Sequence, residues 1–267
     1  MRRVFLLVLA GAAVLAATAV VVVMAAGGQE TTDLLPNLDQ ASPGELSGRT
    51  GGTPAAPRFF FGFESAAGNI GEGPLVVDGT RGSVNQPRMR LVQRIDRTDR
   101  SKRTIPVRAM LQYFASPTHS HWHLLGFMRY ELRTANGRRV RRDRKAGFCL
   151  GDRYRVQLTL DGTPMNGLYT DECGNNLPEL LKLREGISVG YGDDYKPHLE
   201  GQEFDVTTLA PGRYVLVHRV NPARQLRESD YTDNAASLAL DLSWPRGRKL
   251  PPRVDVVARC PTSASCP

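Results

Sequence analysis

Three consecutive pieces of sequence decide how the chain is to be read: Met110-Leu111-Gln112-Tyr113-Phe114, His119-Ser120-His121-Trp122-His123, and Leu124-Leu125-Gly126-Phe127-Met128-Arg129-Tyr130. Aromatic and aliphatic residues of this kind favour strands. On a strand, side chains at i, i+2 and i+4 point to one side, so His119, His121 and His123 are predicted to converge. The chain has five histidines, and three of them stand in this run. Neutral imidazole is the commonest protein ligand for borderline metals, and an all-nitrogen set suits copper, zinc or nickel. A solvated polar face is the plainer alternative, but clustered histidine reads as metal binding.

Outward from this run, short strand-like stretches recur. They are Phe59–Phe63, Leu75–Val77, Arg90–Ile95, Val107–Phe114, His121–Leu132, Tyr154–Leu160, Phe204–Val206, Arg213–Val220 and Ala236–Leu242. Turn signals such as Asp78-Gly79, Asn136-Gly137, Asp161-Gly162 and Pro211-Gly212 separate them. The pattern predicts an all-β fold, a β-sandwich of short antiparallel strands with long functional loops. One helix-like stretch, Pro178–Arg184, lies inside the long, weakly patterned segment 163–201. Loops of that length in a compact domain are usually functional or disordered.

The flanks set the compartment. Arg2 and Arg3 precede an apolar run from Val4 to about Ala26, which reads as an export signal. Its length approaches the ~20 residues that span a bilayer. Residues 1–27 are therefore expected to be a signal peptide or a hydrophobic membrane-anchoring helix, with the rest secreted or held on the outer face of the cell membrane. Residues 28–57, dense in Gly, Pro, Ser and Thr, read as a flexible spacer in which Leu34–Leu38 could dock. Residues 58–245 read as the main β domain, and 246–267 as a basic, Pro-rich tail ending in a disulfide loop.

Cysteine usage agrees with export. The four cysteines, Cys149, Cys173, Cys260 and Cys266, read as two disulfides, with nearest-neighbour pairing preferred among three connectivities. None has zinc-site spacing, so a metal site would rest on histidine. The net charge is +8, carried mostly by arginine, and the runs at 138–144 and 246–253 read as solvated turns. No nucleic-acid motif accompanies this charge, so nucleic acid is rejected as a partner.

Several motifs in fixed order then resemble one family. After the histidine run come Phe127-Met128-Arg129-Tyr130-Glu131-Leu132 and Arg144-Lys145-Ala146-Gly147-Phe148-Cys149-Leu150. Gly190-Tyr191-Gly192, Pro211-Gly212-Arg213-Tyr214 and Val220-Asn221-Pro222 follow, and Glu228-Ser229-Asp230-Tyr231-Thr232-Asp233-Asn234 closes the series. This order is similar to that of the lysyl oxidase catalytic domain, over roughly residues 34–245.

The resemblance implies a copper amine oxidase whose cofactor is made from its own side chains. His119, His121 and His123 would hold copper. Lys145 and Tyr191 would join as lysine tyrosylquinone. A primary amine or peptidyl lysine would be oxidised to an aldehyde with O2, releasing H2O2 and ammonia. The chemistry is coherent: oxidising a phenol needs a redox-active metal, and the lysine must be neutral to attack the ring. Its pKa must therefore fall by desolvation or through nearby charges such as Arg141, Arg142 and Arg144. Asp193 and Asp194 are candidate bases because they flank Tyr191. His198 reads as a loop side chain and His218 as a strand residue beside the core. Glu228, Asp230 and Asp233 could gather around calcium, though turn formation and capping are the stronger reading. The competing class is a non-catalytic copper-binding or adhesive extracellular β-sandwich. The two classes part on whether the Lys145 amine can come within bonding reach of the Tyr191 ring, with both close to the histidines.

Overall fold

Residues 30–116, 119–143, 145 and 147–267 are described by the computed structural model. The expected N-terminal helix and its anchoring role fall on residues 1–27, outside that set. Among the described residues there is no helix long and apolar enough to cross a membrane.

Alternation of side chains along the strands builds the fold. In Arg88–Arg97, Met89, Leu91, Gln93 and Ile95 are buried, while Arg88 and Arg90 face water. Such a strand has one dry and one wet face. Gly212–Val220 and Ala235–Ser243 are buried through most of their length, as suits central strands. Every strand pairing among the described residues is antiparallel, including the longest, Arg88–Arg97 on Lys102–Ala115.

A sandwich would group its strands into two facing sheets; here they divide among four. The largest runs Gly147–Phe148, Ser120–Leu125, Lys102–Ala115, Arg88–Arg97, Leu75–Thr80 and Lys182–Ile187, with Asp33–Leu34 also on Arg88–Arg97. A second runs Arg139–Arg142, Met128–Thr134, Gly212–Val220, Ala235–Ser243 and Arg253–Cys260. The third runs Tyr154–Arg155, Tyr191–Tyr195, Ser65–Asn69 and Leu38–Gln40, and the fourth Glu203–Asp205, Pro57–Phe63 and Leu46–Gly52.

One aromatic chain joins them. The Phe63 ring lies 5.0 Å from Tyr130, Tyr130 lies 6.1 Å from Phe148, and Phe148 lies 4.8 Å from Tyr195. Each of these four rings comes from a different sheet, so their meeting point is the centre of the core.

Several expectations are corrected. The run 121–132 is two strands, not one. Gly126 takes φ +72°, a conformation that costs glycine little, and sends Met128–Thr134 into the second sheet. Pro178–Arg184 is not helical, because Lys182–Ile187 pairs with Leu75–Thr80 as an edge strand. Within 154–160 only Tyr154–Arg155 is extended. The presumed spacer contributes three strands, and its Leu38 and Gln40 are buried. Main-chain pairing holds this segment: Leu46–Gly52 forms a hairpin with Pro57–Phe63. The tail likewise carries an edge strand, Arg253–Cys260. Disulfides join Cys149 to Cys173 and Cys260 to Cys266, the pairing preferred from sequence.

Candidate metal and quinone site

The Ser120–Leu125 strand lies between Lys102–Ala115 and Gly147–Phe148. Trp122 points away from the histidines, fully buried, its indole N–H donating to the Leu177 carbonyl at 3.0 Å. On the other face, one ligand atom from each of His119, His121 and His123 lies within 4.8 Å of the other two. The Nε2 atoms of His121 and His123 are 2.8 Å apart. The His123 ring stacks on Phe114 at 4.9 Å, and its Nδ1 is buried without a hydrogen-bond partner.

Burial, reinforced by neighbouring positive charge, pushes His121 down to about 4 and His123 to about 3. Both rings are therefore neutral near pH 7, the form that binds a metal. Three converging imidazoles, one buried with an unsatisfied nitrogen and two half-buried, fit a borderline metal ion, copper included.

Lys145 reaches the same region from the edge. Gly147 and Phe148 pair with Leu125 and Leu124, which fixes the chain two residues past the lysine. Gly147 is required there, since a Cβ would come 2.7 Å from the His123 Cβ. Ahead of the lysine, the Asp143 amide donates to the Tyr130 carbonyl at 3.0 Å, and the Tyr130 amide donates to the Asp143 carboxylate. Held from both sides, the Lys145 amine lies 4.6 Å from the Tyr195 ring centroid and 5.3 Å from that of Phe148. It also donates to the Glu200 carbonyl at 3.4 Å. Desolvation lowers this lysine to about 8, against the opposing pull of Asp193, Glu200 and Asp143. Among the described residues no arginine drives this fall. The Arg141 guanidinium is engaged by the Asp205 carbonyl and Thr208, and Arg144 lies outside the described residues.

The tyrosine under the Lys145 amine is thus Tyr195, where the motif reading had named Tyr191. Tyr191 is buried, but its hydroxyl donates to the carbonyls of Pro164 and Met165, at 3.2 and 3.1 Å. Tyr195 was visible in the sequence, four residues on and on the same strand face; it lacked only the flanking glycines that drew attention to Tyr191. Its Oη lies 2.8 Å from the Cys149 carbonyl oxygen and 2.9 Å from Asp193 Oδ2.

The Cys149–Cys173 disulfide ties these parts together. Trp122, between two of the histidines, donates its amide to the Cys173 carbonyl at 2.9 Å, and Asn176 donates to the Ser120 carbonyl at 2.7 Å. One covalent link therefore connects the histidine strand, the Tyr195 acceptor and the segment bearing Lys145.

The other candidates sit elsewhere. His198 is exposed. His218 is fully buried between Phe63 and Tyr130, with neither ring nitrogen hydrogen-bonded. Glu228 accepts from Asn221, Asn234 and the Leu38 amide, and Asp230 caps Thr232.

Fold and site together define an antiparallel β protein in which three imidazoles able to hold a metal ion accompany a lysine set over a buried tyrosine. The sequence model of the family described as Lysyl oxidase matches residues 78–245, and the chain belongs to the lysyl oxidase family. Curated relatives agree. Lysyl oxidase homolog 3 of Homo sapiens is 35% identical over 122 residues, covering 44% of this chain and 14% of that protein. Lysyl oxidase homolog 3B of Danio rerio is 32% identical over 122 residues, 44% of this chain and 13% of that protein. Lysyl oxidase homolog 4 of Bos taurus is 34% identical over 117 residues, 43% and 14% respectively. The match thus spans only a small part of each of these relatives.

Proposed function

We propose that this chain is an exported copper amine oxidase. It would convert primary amines, peptidyl lysine included, to aldehydes with O2, releasing H2O2 and ammonia through a quinone made from Lys145 and Tyr195. The observation that carries this reading is the Lys145 amine poised over the Tyr195 ring close to the histidine cluster. Membership of the lysyl oxidase family supports it, and the two disulfides suit a protein working outside the cytoplasm.

His119, His121 and His123 would hold the copper. Copper with oxygen supplies the oxidising capacity that turns a phenol into a quinone. The chain's own residues supply placement and protonation. Burial of Lys145 raises the fraction of free amine at neutral pH, the nucleophilic form. Phe148 and Tyr195 set aromatic rings beside that amine, while the Cys149 carbonyl holds the Tyr195 hydroxyl. The pair is brought together before any bond forms, which removes most of the entropic barrier to joining them.

Copper and air should produce a covalent Lys145–Tyr195 peptide on mass mapping, together with quinone staining and peroxide from a primary amine. Peroxide production that persists in Lys145→Ala would falsify the oxidase reading. Copper binding with neither crosslink nor peroxide would return the chain to the class of metal-binding extracellular β proteins.

A further inference from the structure

Tyr195 Oη has two close oxygen neighbours and one proton. The Cys149 carbonyl, at 2.8 Å, can only accept a hydrogen bond. If the phenolic proton goes there, the 2.9 Å contact to Asp193 Oδ2 is favourable only when the carboxyl group carries a proton and donates it to Oη. If the phenol donates to Asp193 instead, the carbonyl at 2.8 Å faces an oxygen lone pair with no proton between them. A protonated Asp193 is the one arrangement that satisfies both contacts.

The surroundings agree. Asp193 is 1% exposed. The charged and titratable groups acting on it include Tyr195, Arg153, Asp194 and Lys145, and it in turn acts on Glu185, Tyr130 and Tyr154. Desolvation dominates over Arg153 and Lys145 and pushes this carboxyl up to about 8. Glu185, also buried, is raised for the same reason.

We propose that Asp193 is the acid–base group of the Tyr195 oxygen, donating a hydrogen bond to Oη at rest and exchanging that proton as negative charge comes and goes there. The resting hydrogen bond stands on geometry alone; the role in turnover rests on the Lys145–Tyr195 reading above. In the step, the O–H bond of Asp193 breaks and a proton passes to the Tyr195 oxygen, leaving a carboxylate beside Lys145 and Arg153. The reverse transfer restores the acid, and no electrons move between the two groups.

Infrared spectra of the copper-free protein test the resting state. The wild type should show carbonyl stretches of buried protonated carboxyl groups, one of them the band of Asp193. That band should vanish in Asp193→Asn, persist in Glu185→Gln, shift in Tyr195→Phe and fade as pH rises through about 8. A band that is absent, indifferent to Asp193→Asn or unmoved in Tyr195→Phe overturns the proposal. In the copper- and air-treated protein, Asp193→Asn can donate to Oη but cannot exchange a proton. It should lose amine turnover by about a hundredfold, as for other acid–base groups, together with the pH limb near 8. An equal loss at every pH marks a structural role only and overturns the acid–base assignment. An intact band in a protein that never forms the Lys145–Tyr195 crosslink sinks the oxidase reading and, with it, the turnover role, while the resting hydrogen bond stands.

Discussion

The Lys145 amine lies 4.6 Å from the centroid of the Tyr195 ring, whereas the Tyr191 hydroxyl is turned to the Pro164 and Met165 carbonyls. Mass mapping can separate the two tyrosines directly. Tyr195→Phe should abolish the crosslink to Lys145 after copper and air. Tyr191→Phe should keep it, losing only about 1 kcal/mol of stability for the hydroxyl's hydrogen bonding. A crosslink that follows Tyr191 instead would reverse the assignment.

Quinone formation should be pH-dependent. Burial holds Lys145 at about 8 in place of the 10.5 of a free lysine, and only the neutral amine attacks the ring. The rate of crosslink formation should therefore climb as pH rises toward about 8 and level off above it. Below that point it should fall roughly tenfold per pH unit. Quinone absorbance followed after adding copper, across a pH series, measures this. A flat profile from pH ~6 to ~9 would show that deprotonation of Lys145 does not limit the rate.

The two disulfides should differ in what their removal costs. Cys149–Cys173 closes a separation of 24 residues and Cys260–Cys266 one of 6. In the chain-entropy picture these amount to about 3 and about 2 kcal/mol of stability. Replacing Cys149 and Cys173 with serine should also weaken copper binding and crosslinking, because the bond ties the histidine strand to the Tyr195 acceptor. Replacing Cys260 and Cys266 should leave both intact. Urea unfolding and copper titration of the paired variants provide the comparison.

His218 is a stability liability in acid. Desolvation holds it at about 3, below the 6.5 of a free histidine. As pH falls from 6.5 toward 3, the unfolded chain takes up a proton that the folded chain refuses, so stability is lost over that window. At about pH 4.5 the loss from this one residue is about 3 kcal/mol. His218→Phe would fit the ring cluster of Phe63 and Tyr130 and leave no buried nitrogen unpaired. Its urea midpoint should rise at pH 7 and fall less steeply toward pH 4.5 than that of the wild type. Parallel pH curves for the two proteins would contradict this.

Much was legible along the chain. Strand-like runs between turn signals, read as Arg90–Ile95 and Arg213–Val220, fall within the strands Arg88–Arg97 and Gly212–Val220, and the spacing of His119, His121 and His123 placed three imidazoles on one face, because the strand period is a local property. Pairing of the cysteines followed from their even count and their order along the chain. Strands built from Gly, Ser and Thr, such as Leu46–Gly52, were illegible, since their stability lies in main-chain pairing to a partner and not in a hydrophobic pattern. The leucine-rich Pro178–Arg184 misled in the opposite sense. Its spacing suits a helix, but the free edge of Leu75–Thr80 claims Lys182–Ile187 as a strand.

By itself, then, the sequence determined the all-β character, the histidine cluster and the lysine that stands beside it. Only tertiary structure set one particular tyrosine, Tyr195, under the Lys145 amine. Tyr191 and Tyr195 share a strand and a face, and nothing local distinguishes which ring reaches Lys145. That placement involves Phe148, which arrives from another sheet, packs 4.8 Å from Tyr195 and sets a second ring 5.3 Å from the lysine amine.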